Sequence, residues 1–382
     1  MTSPVGQDTN SIATFERRGI VEGFFGPPWS MVHRAAMFAF GAARGMNTYL
    51  YAPKDDPYHR ERWRLPYPEP EWRELCRLID AAQGHGIDFV YGFHPGKDLC
   101  FAAAEPVRVL LDKAARLYDR GVRTFAVLFD DIPSHLTDPG DVKKYDNSLA
   151  KAESLWLEAV LEAQPADWDA EWWFCPSYYT PDPLLARMFG EFEPEFPETV
   201  GRYLPEPVAC FWTGTKVVPE NVTLADMEEI GERMGHRLLL WDNYPVNDLT
   251  MADEMHIGPL TGRDPRLPER VRAHLTNPLL QEELSFVPMA TCFDYARDPG
   301  AYDPEASWET AVTERFGADN LEHWRALRLF CERDAKAAGA ATFSESERNA
   351  LETANGYLLA RRGEGWCREF EPWRERMERA LR

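Results

Sequence analysis

The sequence lacks several short motifs that identify common enzyme classes. It has no GxGxxG turn and no GxxxxGK[ST] loop, which argues against a dinucleotide-binding sheet and a P-loop nucleotide site. It also has no GxSxG elbow and no HxH or HExxH pair among its nine histidines, so a serine hydrolase and a zinc hydrolase are both disfavoured.

Basic residues are also scarce. The 42 lysines and arginines are outnumbered by 63 aspartates and glutamates, and the formal net charge is −21. Such a surface repels phosphate backbones and anionic lipid headgroups, so nucleic acid and membrane are poor candidate partners. A neutral sugar is a more natural substrate for this chain than a polyanion.

Features typical of secreted and membrane proteins are missing as well. The seven cysteines are widely spaced and odd in number, which predicts neither a disulfide framework nor a CxxC metal site. No run of about 18 apolar residues is present, and the N-terminal residues have no apolar stretch of the signal-peptide kind. We therefore expect a soluble, reduced, cytoplasmic protein that uses no cofactor and no metal.

What the sequence does have is an alternation of short apolar runs and amphipathic stretches, the pattern of β/α repeats with a parallel sheet. Eight such strands favour a (β/α)8 TIM barrel over a doubly wound sheet. We expect a disordered leader at residues 1–16, a catalytic α/β barrel at 17–300 and a small all-helical region at 318–382. The predicted strands are 19–25, 47–51, 88–93, 124–129, 171–175, 208–212, 237–241 and 285–291, and the clearest helices are 71–85, 106–120, 142–164, 224–234 and 305–316.

The C-terminal region has apolar residues at helical spacing. Ser344 with Glu347 has the form of a capping box that opens one of its helices. Two interpretations of the apolar stripes stay open: they pack on each other or on the barrel, or they form a homodimer or substrate-covering face. The stripes are Leu321, Trp324, Leu327 and Cys331, then Trp366, Phe370, Trp373, Met377 and Leu381.

Polar and aromatic residues are concentrated just after the predicted strands. Seven strand ends carry them, with strings such as EGFFG, YAPKDD, FDD, CPSYY and WDN. In a TIM barrel the functional residues lie at the C-terminal ends of the strands. Any one string would pass as a turn, but seven at the same topological position predict a site.

The pair Asp130 and Asp131 is the strongest chemical signal, because it follows a buried strand directly. Neighbouring carboxylates that are hard to desolvate tend to divide into one acid and one anion, which glycoside hydrolysis requires. Adjacent side chains cannot stand on opposite faces of a sugar ring, so one of them should act on something other than the anomeric carbon. A substrate that supplies its own nucleophile, as a 2-acetamido group does, would meet that condition. A solvated Asp-Asp turn is the alternative.

These residues resemble glycoside hydrolase family 84, the β-N-acetylglucosaminidase family that includes the protein O-GlcNAcases. The resemblance spans about residues 17–295 in the family's order, and the combination of YAPKDD, FDDI and WDN makes it specific. The matching strings are GIVEGFFGPPW (19–29), NTYLYAPKDDPYHR (47–60), FAVLFDDI (125–132), FCPSYY (174–179), WTGTKVV (212–218), LLWDNYPVND (239–248) and LTNP (275–278).

The resemblance implies a substrate-assisted, retaining mechanism through an oxazoline. Asp130 would orient the 2-acetamido group, and Asp131 would protonate the leaving oxygen and then deprotonate water. It further implies that Gly23 and Lys54 contact a sugar hydroxyl, and that Asp248 and Asn277 bind hydroxyls at the far end of the ring. Asn243 and Tyr179 would surround the acetamido group and the reacting oxygens. Trp241 would form the wall of the pocket for the acetyl methyl.

The sequence also departs from the family pattern. Leu249 follows Asp248 where eukaryotic members have Tyr, and His94 stands where Ser is common. An unperturbed histidine titrates near neutral pH, so His94 could alter the pH profile. The implied partner is a GlcNAc-bearing glycoconjugate or glycoprotein. Two alternatives to an exo-acting enzyme stay open: a GlcNAc-recognising protein with little turnover, and an endo-acting, hyaluronidase-like hydrolase.

Overall fold

The centre of the molecule is a closed barrel of parallel strands in a computed structural model that describes residues 13–337 and 342–382. The strands are β1 (Arg17–Glu22), β2 (Thr48–Tyr51), β3 (Asp88–Phe93), β4 (Thr124–Leu128), β5 (Glu171–Cys175), β6 (Ala209–Trp212), β7 (Leu238–Asp242) and β8 (Val271–Thr276). Each strand pairs with the next, and β8 closes the barrel by pairing with β1, where Arg17 lies opposite Ala273. The predicted (β/α)8 TIM barrel is confirmed.

Helices surround the barrel because two parallel neighbours can be joined only by a long crossover connection. Several begin at a capping side chain: the Ser30 hydroxyl accepts from the His33 backbone N–H, and the Thr223 hydroxyl accepts from that of Asp226. The helices are α1 (Met31–Ala42), α2 (Glu69–Gly84), α3 (Glu105–Tyr118), α4 (Pro139–Lys144), α5 (Leu149–Ala163), α6 (Pro183–Phe189), α7 (Phe196–Tyr203), α8 (Leu224–Met234), α9 (Phe286–Arg297), α10 (Pro304–Phe316), α11 (Leu321–Ala337), α12 (Glu345–Leu359) and α13 (Gly365–Leu381).

The strands are buried on both faces, as expected for a parallel sheet covered by helices. Inward-facing side chains fill the barrel itself, and outward-facing ones pack against the helices. The interior layer includes Val21, Leu50, Val90, Ala126, Trp173, Phe211, Leu239, Ala273 and Leu275. The interior of the barrel is therefore a packed core, and any ligand must bind at the ends of the strands.

The prediction for the eighth strand was wrong. Residues 285–291 begin helix α9, and the strand that closes the barrel is Val271–Thr276. Helix α9 begins with an apolar run and is buried along most of its length, because the barrel and the C-terminal helices cover it on both sides. A short apolar run does not distinguish a buried helix from a buried strand. The true strand was not recognised because the charged or polar residues Arg272 and His274 interrupt its apolar run; in the fold they pair with Glu171 and Asp242.

Two smaller predictions also need correction. The helix predicted at 142–164 is two helices, because Asp146 and Asn147 adopt positive φ angles of 56° and 60° and break the chain between α4 and α5. Most of the leader predicted at 1–16 lies outside the described residues. Its end is packed, since Phe15 is buried against His274 and Tyr295.

The C-terminal helices α11, α12 and α13 form a second apolar core with α9 and α10. The predicted capping box is present at the start of α12, with Ser344 and Glu347 bonding each other's backbone N–H groups. The aromatic stripes are buried within this core, so they are used for packing inside the chain. Among the described helices, none has both the length and the apolar composition needed to cross a bilayer.

Helix α13 also supports two loops at the end of the barrel. The Trp373 indole N–H donates to the carbonyl of Asp253, which lies in the loop after β7. The Glu369 carboxylate accepts from the backbone N–H groups of Glu283 and Leu284, in the loop after β8. The C-terminal region therefore stabilises the segments that follow the last two strands of the barrel.

Candidate active site

The nine site residues predicted from the sequence line a single cavity of about 690 Å³ at the C-terminal ends of the strands. They come from the ends of six different strands, so the barrel brings together residues that are up to 254 positions apart, as in the contact of Gly23 with Asn277. The nine residues are Gly23, Lys54, Asp130, Asp131, Tyr179, Trp241, Asn243, Asp248 and Asn277.

Asp130 is a buried carboxylate paired with a buried ammonium. The Lys54 Nζ atom donates to Asp130 Oδ2, and the side chains are 2% and 9% exposed. Burial would raise the pKa of Asp130, but the Lys54 charge beside it, and more weakly Arg60, hold that pKa well below its usual range. Asp130 is therefore a stable anion, and its buried Oδ1 atom lacks a hydrogen-bond donor in the described part of the chain.

The pKa of Asp131 is shifted in the opposite direction. The residue is half-buried, and burial together with the adjacent Asp130 charge raises the pKa of Asp131 above its usual value. The Tyr179 hydroxyl donates to Asp131 Oδ1 at 3.0 Å, and burial keeps the pKa of Tyr179 well above its ordinary value, so this donor stays protonated. Asp131 has φ 60°, a left-handed conformation that is uncommon for a non-glycine residue. The strand end thus orients the two neighbouring carboxyl groups differently, and their environments shift the two pKa values in opposite directions.

Aromatic rings form one wall of the cavity beside this pair. The Lys54 ammonium lies 5.7 Å from the ring centroid of Trp241 and 6.0 Å from that of Phe25. Gly23 packs directly against Trp241: a β-carbon at Gly23 would come within 2.3 Å of the indole Cζ2 atom. Only glycine permits this close approach of β1 to the Trp241 ring.

A network of amides joins the ends of β7 and β8. Asn243 Oδ1 accepts from the Trp241 indole N–H and from Asn277 Nδ2, each at 3.0 Å. Asn277 Oδ1 in turn accepts from the Gly23 backbone N–H at 3.3 Å. Asp248 accepts from the Phe25 backbone N–H at 2.7 Å, and burial raises the pKa of Asp248. These contacts hold the predicted sugar-binding residues in fixed positions around the cavity.

A fully buried ion-pair cluster lies beneath that network. Asp242 accepts from Arg263 Nη2 at 2.5 Å and from His274 Nε2 at 2.9 Å. Burial opposes the charge, but Arg263 and His274 outweigh it and keep the pKa of Asp242 well below its usual range. Because Asp242 ends β7 and His274 lies on β8, the cluster fixes the strands that present Asn243 and Asn277.

His94 does not behave as the sequence predicted. It is completely buried, and its Nε2–H donates to the backbone carbonyl of Asp130 at 2.6 Å. Burial lowers the pKa of His94 to about 3, so the ring does not titrate near neutral pH. His94 acts on the backbone that carries the aspartate pair, and the predicted effect on the neutral pH profile is wrong.

Several cavity residues were not singled out from the sequence. Phe25, Val217 and Phe211 lie on its walls, and Val217 accepts a hydrogen bond from Asn243 Nδ2 at 2.8 Å. Met188 and Val218 stand exposed at its mouth, beside Leu249, the departure from the family pattern named above. Phe25 and Val217 occur within the matched strings EGFFG and WTGTKVV, but nothing in their residue type separates a cavity wall from an ordinary core.

The structure offers little support for chemistry based on thiols or metals in the described part of the chain. Cys175 lines the cavity, but burial keeps its pKa well above the ordinary value of a thiol. One group of possible metal ligands is found there, Cys100 with Asp138 and Asp141. The Asp141 oxygens already accept from the backbone N–H groups of Phe101 and Ala102. The group therefore has an ordinary structural role and lies outside the cavity described above.

Comparisons with known proteins agree with this geometry. The model of a family described as beta-N-acetylglucosaminidase matches residues 18–332. The chain is 33% identical over 275 residues to the Protein O-GlcNAcase of Mus musculus and to that of Rattus norvegicus, which covers 72% of this chain and 29% of each relative. It thus spans under a third of the length of these curated relatives. A solved O-GlcNAc hydrolase mutant from Thermobaculum terrenum superposes with a TM-score of 0.84 and 32% identity, over 95% of this chain and 82% of that one.

Proposed function

The chain belongs to the β-N-acetylglucosaminidase family, and on that premise we propose that it is a retaining, exo-acting hydrolase of terminal β-linked GlcNAc. The resemblance to glycoside hydrolase family 84 that is visible in the sequence is confirmed by the family match and the relatives. The observation that carries the proposal is the contrast between two neighbouring carboxyls in one cavity: the pKa of Asp130 is lowered by Lys54, and that of Asp131 is raised by burial and by the adjacent Asp130.

The proposed reaction uses the substrate's own acetamido group as the nucleophile. Asp130, held as an anion by Lys54, accepts the amide N–H and directs the carbonyl oxygen onto the anomeric carbon. Asp131 gives its proton to the leaving oxygen and takes one back from the water that opens the oxazoline. Trp241 encloses the acetyl methyl, and Gly23, Lys54, Asn243, Asp248 and Asn277 bind the hydroxyls and the acetamido group.

Turnover of an aryl β-N-acetylglucosaminide and of its trifluoroacetamido analogue tests this mechanism. Fluorination weakens the internal nucleophile, so we expect the rate to fall by about 100-fold or more. Asp130→Asn should lose about 2–4 orders of magnitude in kcat, as should Asp131→Ala. A rate unaffected by fluorination would point to a protein nucleophile, and binding without turnover would favour the GlcNAc-recognising alternative.

We also propose that the natural aglycone is Ser or Thr of a glycoprotein. The relatives named above are O-GlcNAcases, and the mouth of the cavity is lined by the exposed aliphatic side chains of Met188, Val218 and Leu249. Exposed apolar groups beside a cleft are typical of contacts to a polypeptide. We expect a higher kcat/KM on a GlcNAc-Ser peptide than on chitobiose, with Asp131→Ala as the blank. A higher kcat/KM on chitobiose would instead indicate that chitin fragments are the natural substrate.

The cytoplasmic location and the homodimer stay predictions.

A further inference from the structure

A completely buried glutamate lies behind the strand end that carries Tyr179. Glu153 is on α5, and its Oε2 atom accepts from the backbone N–H of Ser177 at 3.2 Å. Its other oxygen and the Ser177 hydroxyl are both buried, and neither has a partner among the described residues. No ion pair involves Glu153 in that part of the chain. A buried carboxyl with a single backbone contact and no cation is costly, so its presence calls for an explanation.

The segment that Glu153 contacts is the one that positions the hydroxyl on the candidate general acid. Ser177 lies two residues before Tyr179, whose hydroxyl donates to Asp131. On the other side, the Tyr179 carbonyl accepts from the Thr213 backbone N–H at 3.2 Å. The intervening residue, Tyr178, packs against Trp212, away from the cavity. The turn is therefore held at two points, one on β6 and one on Glu153.

We propose that Glu153 is a positioning residue for the general acid: it anchors the Ser177–Tyr179 turn and thereby places the Tyr179 hydroxyl on Asp131. The inference rests on the proposed function, because it assigns Glu153 a role in the step in which Asp131 transfers its proton. Glu153 itself touches neither Asp131 nor the cavity, so its effect on the reaction passes through Tyr179.

The charge state of Glu153 suits this role. Burial raises the pKa of Glu153 to about 8 against the lowering effect of the Ser177 hydrogen bonds, and Glu193 raises it further. Glu193 is itself held by the Ser148 hydroxyl and faces Glu153 from the loop before α7. The Cys175 thiol at the end of β5 stays neutral because burial raises its pKa. A neutral carboxyl can accept from the Ser177 N–H and also donate its proton to the Ser177 hydroxyl.

The experiment measures kcat and KM on an aryl β-N-acetylglucosaminide for five variants beside the wild type. They are Glu153→Gln, Glu153→Ala, Tyr179→Phe, the double variant Glu153→Ala/Tyr179→Phe, and Ser154→Ala. Ser154 is the matched control, because it is buried on the same helix but its hydroxyl bonds only to Ala150 of that helix. Thermal unfolding of each variant reports whether it is folded.

We expect Glu153→Ala to lower kcat by about tenfold with little change in KM, the size of effect that corresponds to the loss of one hydrogen bond. Glu153→Gln, which keeps the shape and the neutral donor and acceptor, should stay within about threefold of the wild type. The double variant should be no slower than the slower single variant, since both changes remove the same contact. Ser154→Ala should match the wild type.

Three results would overturn the inference: a wild-type kcat in Glu153→Ala, independent effects in the double variant, or a folded Glu153→Gln that is as slow as Glu153→Ala. If Glu153→Ala does not fold, the pH profile of Glu153→Gln tests the inference instead. Above pH 8 the wild-type kcat should fall more steeply than that of Glu153→Gln, because only the wild type ionises at this position. Identical slopes would refute the role. An inactive wild type would instead refute the proposed function.

Discussion

Replacing Lys54 by Met would test the charge state of Asp130 directly. The ammonium and the carboxylate are both buried, with side chains 2% and 9% exposed. Removing one member of such a pair costs about 3–5 kcal/mol if the other stays charged. At about 1.4 kcal/mol per pKa unit, that cost corresponds to a rise of about 2–4 units in the pKa of Asp130. Burial, which opposes ionisation, would then dominate the site.

The sign of the effect follows from the state of the wild type. The pKa of Asp130 is depressed, so its carboxylate is charged in the mildly acidic range and at any higher pH, and this contributes stability that is lost only as pH falls through the folded pKa. In Lys54→Met the pKa of Asp130 is raised, so Asp130 becomes protonated in the mildly acidic range, where it is charged in the wild type. The protonated form cannot accept the acetamido N–H as strongly. The acidic limb of kcat/KM should therefore move to higher pH by about 2–4 units.

The assay is kcat/KM on an aryl β-N-acetylglucosaminide between about pH 4 and pH 8. Arg120→Met is the control, because the Arg120 side chain is 40% exposed, pairs with the exposed Asp80 and lies outside the cavity. A surface pair of this kind contributes about 0–1 kcal/mol, so its acidic limb should coincide with that of the wild type. An unchanged acidic limb in a folded Lys54→Met enzyme would show that the ammonium does not set the charge of Asp130.

Three further changes test other parts of the structure. Gly23→Ala places a β-carbon 2.3 Å from a ring carbon of Trp241, so KM for a GlcNAc substrate should rise by about tenfold or more; an unchanged KM would contradict the role of this wall. Arg263→Met removes the guanidinium from the buried Asp242, which keeps only His274 of the two partners described above, and should lower the free energy of unfolding, measured with denaturant, by about 3–5 kcal/mol. Ser344→Ala removes a helix cap and should cost about 1 kcal/mol in the same assay, while kcat/KM stays unchanged; a larger loss would show that this cap does more than start α12.

The order of the elements and the chemistry at their ends were readable from the sequence because they are local properties. A buried parallel strand is an apolar run of a few residues, and seven of the eight were predicted within two or three residues of their observed bounds. The adjacency of Asp130 and Asp131 is likewise a fact of the chain. It already argued against a nucleophile and an acid on opposite faces of a sugar ring.

Tertiary structure alone decided what depends on neighbours that are distant in the chain. Helix α9 is largely buried because two layers cover it. Strand β8 can contain Arg272 and His274 because they pair with Glu171 on β5 and with Asp242 on the neighbouring β7; neither partner is visible in a local pattern. The same holds for charge and protonation.

Residue type placed Asp130, Asp131 and His94 at strand ends, but it could not set their pKa values. Lys54 is 76 positions from Asp130, and the pKa of His94 falls to about 3 only because the fold buries its ring. The sequence therefore determined which groups could react. The closed barrel determined the direction in which each pKa is shifted, since desolvation and Coulomb interactions depend on distances that only the folded chain defines.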